Sequence, residues 1–513
     1  MKKLIFVLLL AIPGLSANAQ CTKLFDFTKT TGYGFYFNSL YTDGAFLYGM
    51  TVDGGTYNYG TIFKIKPDGS GYVKLLDFDG STNGSSPVGA LFSDGNCLYG
   101  MTQSVGKSRG TIFKIKPDGR NYVKLFDFAD YKSGWGPLGF FTSHKGQLYG
   151  MTSMGGTKAR GTTFKINRDG SGFEEIMDFY SIENGYKPRG ALLSDGRFLY
   201  GMTLEGGLTN DSVGNKYGYG TVFKMKPDGS GFEKLLNFTG ANGRFPEGSL
   251  ISDGTFLYGM TEMGGKYDGG TVFKIKPDGS GYMQLLDFAG IANGSCPYGS
   301  LYYDGDFLYG TTRFGGKNGD GTAFKIKPDG SGYVKLLDFE NDITGRQPVG
   351  SLVSDGRFLY GMTMSGGKND KGTIFKIQID SSYVPVEITS DSTANTNNEI
   401  LPQTFIPDST AANDPVTDHV IAQEPVIRAA ITIEEENIIT IYPNPANEKI
   451  TIENSALNND ATISIFNNEG QLVLQQTTNQ AKTEIAVSTL ANGLYFVKVN
   501  NESGIAVKRF IKE

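Results

Sequence analysis

The chain of 513 residues carries a net charge of −6 and holds 71 glycines, 28 tyrosines and 35 phenylalanines, a mixture that suits short aromatic-faced strands and tight turns better than helices. That charge exerts no pull toward nucleic acid or an anionic membrane surface, so neither is expected as a partner. Only three cysteines occur, Cys21, Cys97 and Cys296, which excludes a disulfide framework as the source of stability.

At the N-terminus, Met1-Lys2-Lys3, the apolar run Leu4–Ile12 and Ala17-Asn18-Ala19 follow the charged, apolar, small-residue order of a secretory signal. A signal peptide over residues 1–19 and transit through the periplasm are expected. The apolar run is far below the ~20 residues of a membrane-spanning helix, and no other segment reaches that length, so no transmembrane segment is predicted. Asn18-Ala19-Gln20 ahead of Cys21 departs from the pattern that lipidation of that cysteine requires.

Residues 20–384 repeat. Gly-Thr-x-Phe-Lys begins at Gly60, Gly110, Gly161, Gly220, Gly270, Gly321 and Gly372, spaced 50, 51, 59, 50, 51 and 51 residues apart. Leu-Tyr-Gly precedes it every time, beginning at Leu47, Leu98, Leu148, Leu199, Leu257, Leu308 and Leu359. Within one repeat, turn signals delimit four strand-length runs: Gly248–Ser252, Phe256–Thr261, Thr271–Lys276 and Tyr282–Phe288. Asp253-Gly254 and Pro277-Asp278-Gly279-Ser280-Gly281 between them are hairpin sequences, because glycine accepts the positive φ of such turns. A four-stranded unit of this size cannot bury both faces alone, whereas seven arranged radially cover one another, so the fold class expected is all-β, a seven-bladed β-propeller. Lys23-Leu24-Phe25-Asp26-Phe27 matches the fourth-strand sequence Lys74-Leu75-Leu76-Asp77-Phe78, so the N-terminus can supply the last strand of blade 7. Tyr383–Ile388 competes for the same place.

With its Leu-Tyr-Gly-x-Thr, Gly-Gly and Gly-Thr-x-Phe-Lys-x-x-x-Asp-Gly pattern, the segment from Leu24 to about Asp380 resembles the GloVer-type tandem repeat family, and more weakly the kelch repeats. The second repeat has Val105-Gly106 in place of the glycine pair, the third has Asn167-Arg168 where Lys-Pro is usual, and the last has Gln378-Ile379-Asp380 without the following glycine. The resemblance implies a propeller and no assigned activity.

Residues 385–436 are rich in Ser, Thr, Asn, Pro and acidic residues and hold too little apolar area to offset ordering entropy, so a flexible linker is predicted. Alternating strands resume over residues 437–513 at Ile438–Tyr442, Lys449–Ile452, Ile463–Phe466, Leu472–Leu474, Leu494–Val499 and Val507–Ile511, which suggests a small Ig-like β-sandwich. Tyr442-Pro443-Asn444-Pro445, Gly493–Val497 and the basic, hydrophobic end resemble the type A C-terminal sorting domain of type IX secretion. That likeness implies the secretion machinery as a partner and an address that is secreted or on the outer cell surface.

In a four-stranded blade the connections from strand two to three and from strand four to the next strand one share a face, and these are the variable ones here. An insertion in the fourth repeat runs through Asn210, Asp211, Asn215, Tyr217 and Tyr219. Ahead of the first strands, Gly-x-x-Pro-x-Gly presents Trp135, Tyr186, Arg189, Arg244, Phe245, Glu247, Tyr298 and Arg346. Aromatic platforms beside polar groups suit sugar rings or peptide segments, so these residues with Tyr217 and Tyr219 form the candidate ligand-binding set. Packing of the same aromatics on neighbouring blades is the structural alternative. With only His144 and His419, no catalytic constellation, metal site or cofactor is expected. The predicted function is a monomeric surface or secreted propeller that binds a glycan or protein without chemistry. The alternative is a carbohydrate-active enzyme drawing on the loop carboxylates Glu205, Asp211, Glu247, Glu262 and Asp320, which are otherwise expected to be solvated charges.

Overall fold

The computed structural model describes residues 21–104, 109–207, 217–379, 439–442, 446–454, 461–467, 472–501 and 504–512. The predicted signal peptide, the linker, Pro443-Asn444-Pro445 and the insertion residues Asn210, Asp211 and Asn215 lie outside the described residues.

The two sequence markers meet in every repeat. The threonine of Leu-Tyr-Gly-x-Thr bonds the threonine of Gly-Thr-x-Phe-Lys through their hydroxyls, as between Thr51 and Thr61 at 3.0 Å, and the pair recurs in all seven repeats. The glycine of the first marker lies under the phenylalanine of the second, so that a side chain on Gly49 would collide with the Phe63 ring. Glycine weakens a strand in general; here it is kept because a buried ring needs the space.

Seven four-stranded antiparallel sheets result. Blade 1 comprises Tyr41–Thr42, Leu47–Thr51, Thr61–Ile65 and Val73–Asp77, and the same meander continues through blade 6, whose last strand is Val334–Asp338. Blade 7 combines Arg346–Ser354, Phe358–Ser365 and Thr373–Gln378 with the N-terminal Cys21–Asp26, which pairs antiparallel with Cys21 opposite Ile377. The N-terminal strand therefore closes the ring, and the competing Tyr383–Ile388 lies outside the described residues. Seven apolar clusters fill the seven junctions between adjacent blades. At the closing junction Val349, Tyr360 and Ile374 of blade 7 pack with Leu40, Leu47 and Phe63 of blade 1.

First strands converge on the axis. In blade 5 the expected run Gly248–Ser252 pairs within its sheet only at Ile251–Ser252, because its beginning bonds the next blade instead. A chain of such bonds links blades 4 to 7 and 1: Ala191 N–H donates to Ser249 Oγ at 2.7 Å, Ser249 N–H to Ser300 Oγ at 2.7 Å, Ser300 N–H to Ser351 Oγ at 3.0 Å, and Ser351 N–H to Ser39 Oγ at 2.8 Å. The preceding residue in the first strand is glycine in six blades, since a side chain on Gly139 would strike the Gly190 carbonyl and one on Gly299 the Gly350 carbonyl. Asn38 holds the seventh position and donates from its amide to the Met50 and Pro87 carbonyls at 2.9 and 3.1 Å. The axis is consequently pinched to a void of about 20 Å³, room for a single water.

The chain divides into two compact units, Met1–Val384 and Pro385–Glu513. In the second, a three-stranded sheet (Ile439–Tyr442, Lys449–Asn454, Lys482–Ala486) and a four-stranded sheet (Leu472–Thr478, Ala461–Asn467, Gly493–Asn501, Gly504–Lys512) enclose Ile450, Ile452, Ile463, Ile465, Ile485, Val497 and Phe510. No helix among the described residues is long and apolar enough to cross a membrane.

Candidate functional site

The connections between strands two and three and between blades emerge on one face of the ring. Where each blade-to-blade connection reaches its proline, the residue before that proline adopts a left-handed backbone: Ser86, Lys187, Phe245, Cys296 and Gln347 have φ between 53 and 58°. The strain is offset by a bond across the blade junction, since Ser86 N–H donates to Tyr59 O at 2.9 Å, Lys187 to Arg160 O at 2.7 Å, Cys296 to Gly269 O at 2.8 Å and Gln347 to Asp320 O at 2.7 Å. Backbone alone makes these contacts, so the side chains around them are free to differ.

Those side chains form cation–aromatic pairs. The Arg109 guanidinium lies 3.7 Å from the Tyr131 ring centre and 4.6 Å from that of Trp135, while Arg160 lies 4.5 Å from Tyr186 and 5.7 Å from Tyr217. Trp135 and Tyr186 are thus covered in part by a neighbouring blade's arginine. Arg244 pairs with Asp268 at 2.7 Å and Arg346 with Asp370 at 3.3 Å. Tyr219 is buried, and Phe245 packs beside it in the cluster between blades 4 and 5. Tyr217 is exposed, as are Tyr36, Tyr57, Tyr59, Tyr131, Tyr180 and Tyr267, all of them in connections on this face. Among the described residues of the ring, no aromatic side chain is this exposed on the opposite, hairpin face.

Three of the expected residues, Arg189, Glu247 and Tyr298, meet at the mouth of the axis. They occupy the same position in blades 4, 5 and 6, just before the axial glycine, where blades 7, 1, 2 and 3 carry Val349, Phe37, Val88 and Leu138. The mouth is therefore half apolar and half polar. Arg189 Nη1 bonds Glu247 Oε2 at 2.5 Å, the Arg189 guanidinium lies 5.2 Å from the Phe37 ring centre, and its buried Nε has no partner among the described residues. Phe37 in turn stacks on Tyr298 at 5.2 Å. Glu247 is only 5% exposed, so the solvated charge expected from sequence is instead enclosed where seven strands converge. Burial pushes its carboxyl up to about 7 against the pull of Arg189, and pushes the Tyr298 hydroxyl up to about 12. Glu262, one strand outward, is also raised by burial, with Arg313, Arg189 and Arg244 opposing.

The remaining loop carboxylates do not join this cluster. Glu205 pairs with Lys187 at 2.7 Å, and Asp320 Oδ2 accepts from Asn341 N–H at 3.0 Å. Among the described residues no His, Cys, Asp or Glu group is arranged to hold a metal ion. Sequence reasoning missed Phe37, Arg109, Arg160 and Arg313. Aligning the repeats exposes them, because each stands in a variable column beside an invariant marker or the axial position: Arg109 and Arg160 just before Gly-Thr-x-Phe-Lys, Arg313 just after Leu-Tyr-Gly-x-Thr, and Phe37 in the column of Arg189, Glu247 and Tyr298.

A ring of seven sheets followed by a small sandwich defines a β-propeller carrying an accessory C-terminal module. The Gloeobacter/Verrucomicrobia repeat profile matches residues 14–213, 209–315 and 302–403, and the chain belongs to that family. Residues 440–513 match the secretion system C-terminal sorting domain, which makes this a secreted or cell-surface protein handled by the type IX machinery. No curated protein matches the sequence. Among solved structures, an oligogalacturonate lyase in complex with manganese is 14% identical over 72% of this chain and 95% of its own, with a TM-score of 0.47. PorZ, a surface component of the type IX secretion system of Porphyromonas gingivalis, is 14% identical over 94% of this chain and 59% of its own, with a TM-score of 0.44. TolB from Acinetobacter baumannii is 13% identical over 60% of this chain and 65% of its own, with a TM-score of 0.38. At these scores the likenesses assign no activity.

Proposed function

We propose that the protein is a non-catalytic binding propeller that recognises a glycan through its loop face after signal-peptide export and type IX secretion. One observation carries this reading: the seven exposed tyrosines of the ring all stand on the loop face, dispersed over several blades around a half-polar axial mouth. Isolated aromatic platforms flanked by hydrogen-bonding groups suit the alternating apolar and hydroxylated surfaces of sugars. A screen of immobilised glycans with the mature chain tests it. Binding is expected, read through quenching of Trp135, the only tryptophan, and Tyr180→Ala or Tyr267→Ala should weaken it about tenfold. Indifference to both substitutions would refute the loop-face assignment.

A second reading, a carbohydrate-active enzyme, draws on Glu247 and Glu262, two carboxyls at the mouth that burial raises. Cleavage of a polysaccharide that Glu247→Gln abolishes would establish it, and inactivity across a broad panel would retire it.

A further inference from the structure

The arginines of the loop face fall into two groups. Arg189, Arg244 and Arg346 each hold a carboxylate. Arg109, Arg160 and Arg313 have no carboxylate within 4 Å among the described residues; aromatic rings hold them instead. Arg313 lies 5.4 Å from the Tyr298 ring centre and 5.0 Å from that of Phe314, and its one hydrogen-bond acceptor among the described residues is the Met364 sulfur at 3.7 Å, a weak one. Arg313 Nε and Arg109 Nη1 are buried donors without an acceptor among the described residues. Buried guanidinium N–H groups are ordinarily satisfied, and an oxyanion is the partner that satisfies them best.

We propose that Arg109, Arg160 and Arg313 recognise the acidic groups, carboxylate or sulfate, of an anionic polysaccharide laid across the loop face. The inference rests on the glycan-binding reading above and narrows it. In a chain of net charge −6, three arginines on one face form no ion pair with a carboxylate among the described residues, although Arg313 feels the field of Glu262 and Glu247, and such unpaired guanidinium groups suit an acidic ligand. Arg109 and Arg160 take the same position in consecutive blades, so cationic points repeat across the surface as acidic groups repeat along a polymer. The axis holds a void of only about 20 Å³, so a ligand of this face lies across the loops and does not enter the channel. Exposed tyrosines beside these arginines, Tyr131 and Tyr217, present the ring surfaces on which sugar units would lie.

The test titrates the full mature chain with polygalacturonate, dextran sulfate, unmodified dextran and polyglutamate at low and high salt. Acidic saccharides should bind at least about tenfold more tightly than dextran at low salt and lose that advantage at high salt. Arg313→Gln and Arg109→Gln should each reduce acidic-saccharide affinity about tenfold more than they reduce dextran affinity, and Arg313→Lys should retain part of it. Uronate preferred over sulfate, or the reverse, identifies the acidic group. Equal affinity for acidic and neutral saccharides, or arginine variants that fold and bind normally, would overturn the proposal while leaving glycan binding intact. Polyglutamate binding as tightly as the polysaccharides would overturn its saccharide part. Binding to no saccharide at all would instead sink the reading on which it rests.

Discussion

The two faces of the ring solve the same problem of connecting strands by opposite means. On the hairpin face a side chain does the work: the Leu-Tyr-Gly tyrosine donates to the hairpin aspartate, Tyr48 to Asp43 at 2.9 Å, Tyr99 to Asp94 at 2.8 Å, and Tyr200, Tyr258, Tyr309 and Tyr360 to their aspartates at 2.7 Å. On the loop face the connection from one blade to the next is held by backbone, through the left-handed residue and its bond to the preceding blade. A contact made by side chains holds the sequence constant, whereas one made by backbone releases it to vary. The loop face can therefore carry recognition at little cost to the fold.

The largest effect should come from a residue that belongs to neither face. Gly139 at the axis and Gly146 in a hairpin have nearly the same backbone, φ 86 and 82°, so the left-handed penalty for Ala is shared. They differ in surroundings: a side chain at Gly139 meets the Gly190 carbonyl, and one at Gly146 meets nothing. Gly139→Ala should cost more than about 4 kcal/mol or prevent folding, and Gly146→Ala about 1 kcal/mol, as read by urea unfolding. Similar costs at both sites would show that the axis is looser than described.

Next in size is the tyrosine bond of the hairpin face. Tyr258→Phe should cost about 1–2 kcal/mol, the price of leaving Asp253 Oδ2 without its donor while Oδ1 keeps the Thr255 and Phe256 N–H groups. In blade 3 His144 replaces the aspartate, and Tyr149 reaches only Gln147 Oε1 at 3.5 Å. Tyr149→Phe should therefore be nearly neutral, and a loss equal to that of Tyr258→Phe would break the distinction between the blades.

What was legible in the sequence follows the same division. The strands, the repeat count and the candidacy of Lys23–Phe27 as the closing strand could be read because residues that touch through side chains recur at fixed spacing, as Thr51 and Thr61 do; the choice between it and Tyr383–Ile388 stayed open in the sequence. Arg189, Glu247 and Tyr298 could be named as variable residues near prolines. Their convergence, and the burial of Glu247, could not, because both arise only when first strands from different blades approach within backbone contact at the axis. Trp135 and Tyr186 were legible as loop aromatics, but the arginines covering them come from the preceding blade, about 26 residues earlier, and only the closed ring pairs them.

The smallest effect compares one outer strand with its counterparts. Lys74, Lys124 and Lys335 each bridge the aspartate three residues on, at 2.8, 2.9 and 2.9 Å, but blade 3 places Glu175 before Asp178. Burial, with Asp178 and Asp130 nearby, pushes the Glu175 carboxyl from 4.5 up to about 7. A carboxyl raised in the folded state favours folding while it is protonated, so its contribution is complete below about pH 4.5 and is lost as pH rises through about 7. Glu175→Lys would remove that loss and restore the bridge to Asp178. Because the site is only half-buried and solvent screens its charges, the gain at pH 8 should be only about 0.5–1 kcal/mol, shrinking toward zero near pH 4.5. Thermal melts of the parent and the variant across this range measure it; a constant difference between them would mean that the carboxyl does not titrate in the interval and that blade 3 tolerates its acidic pair for another reason.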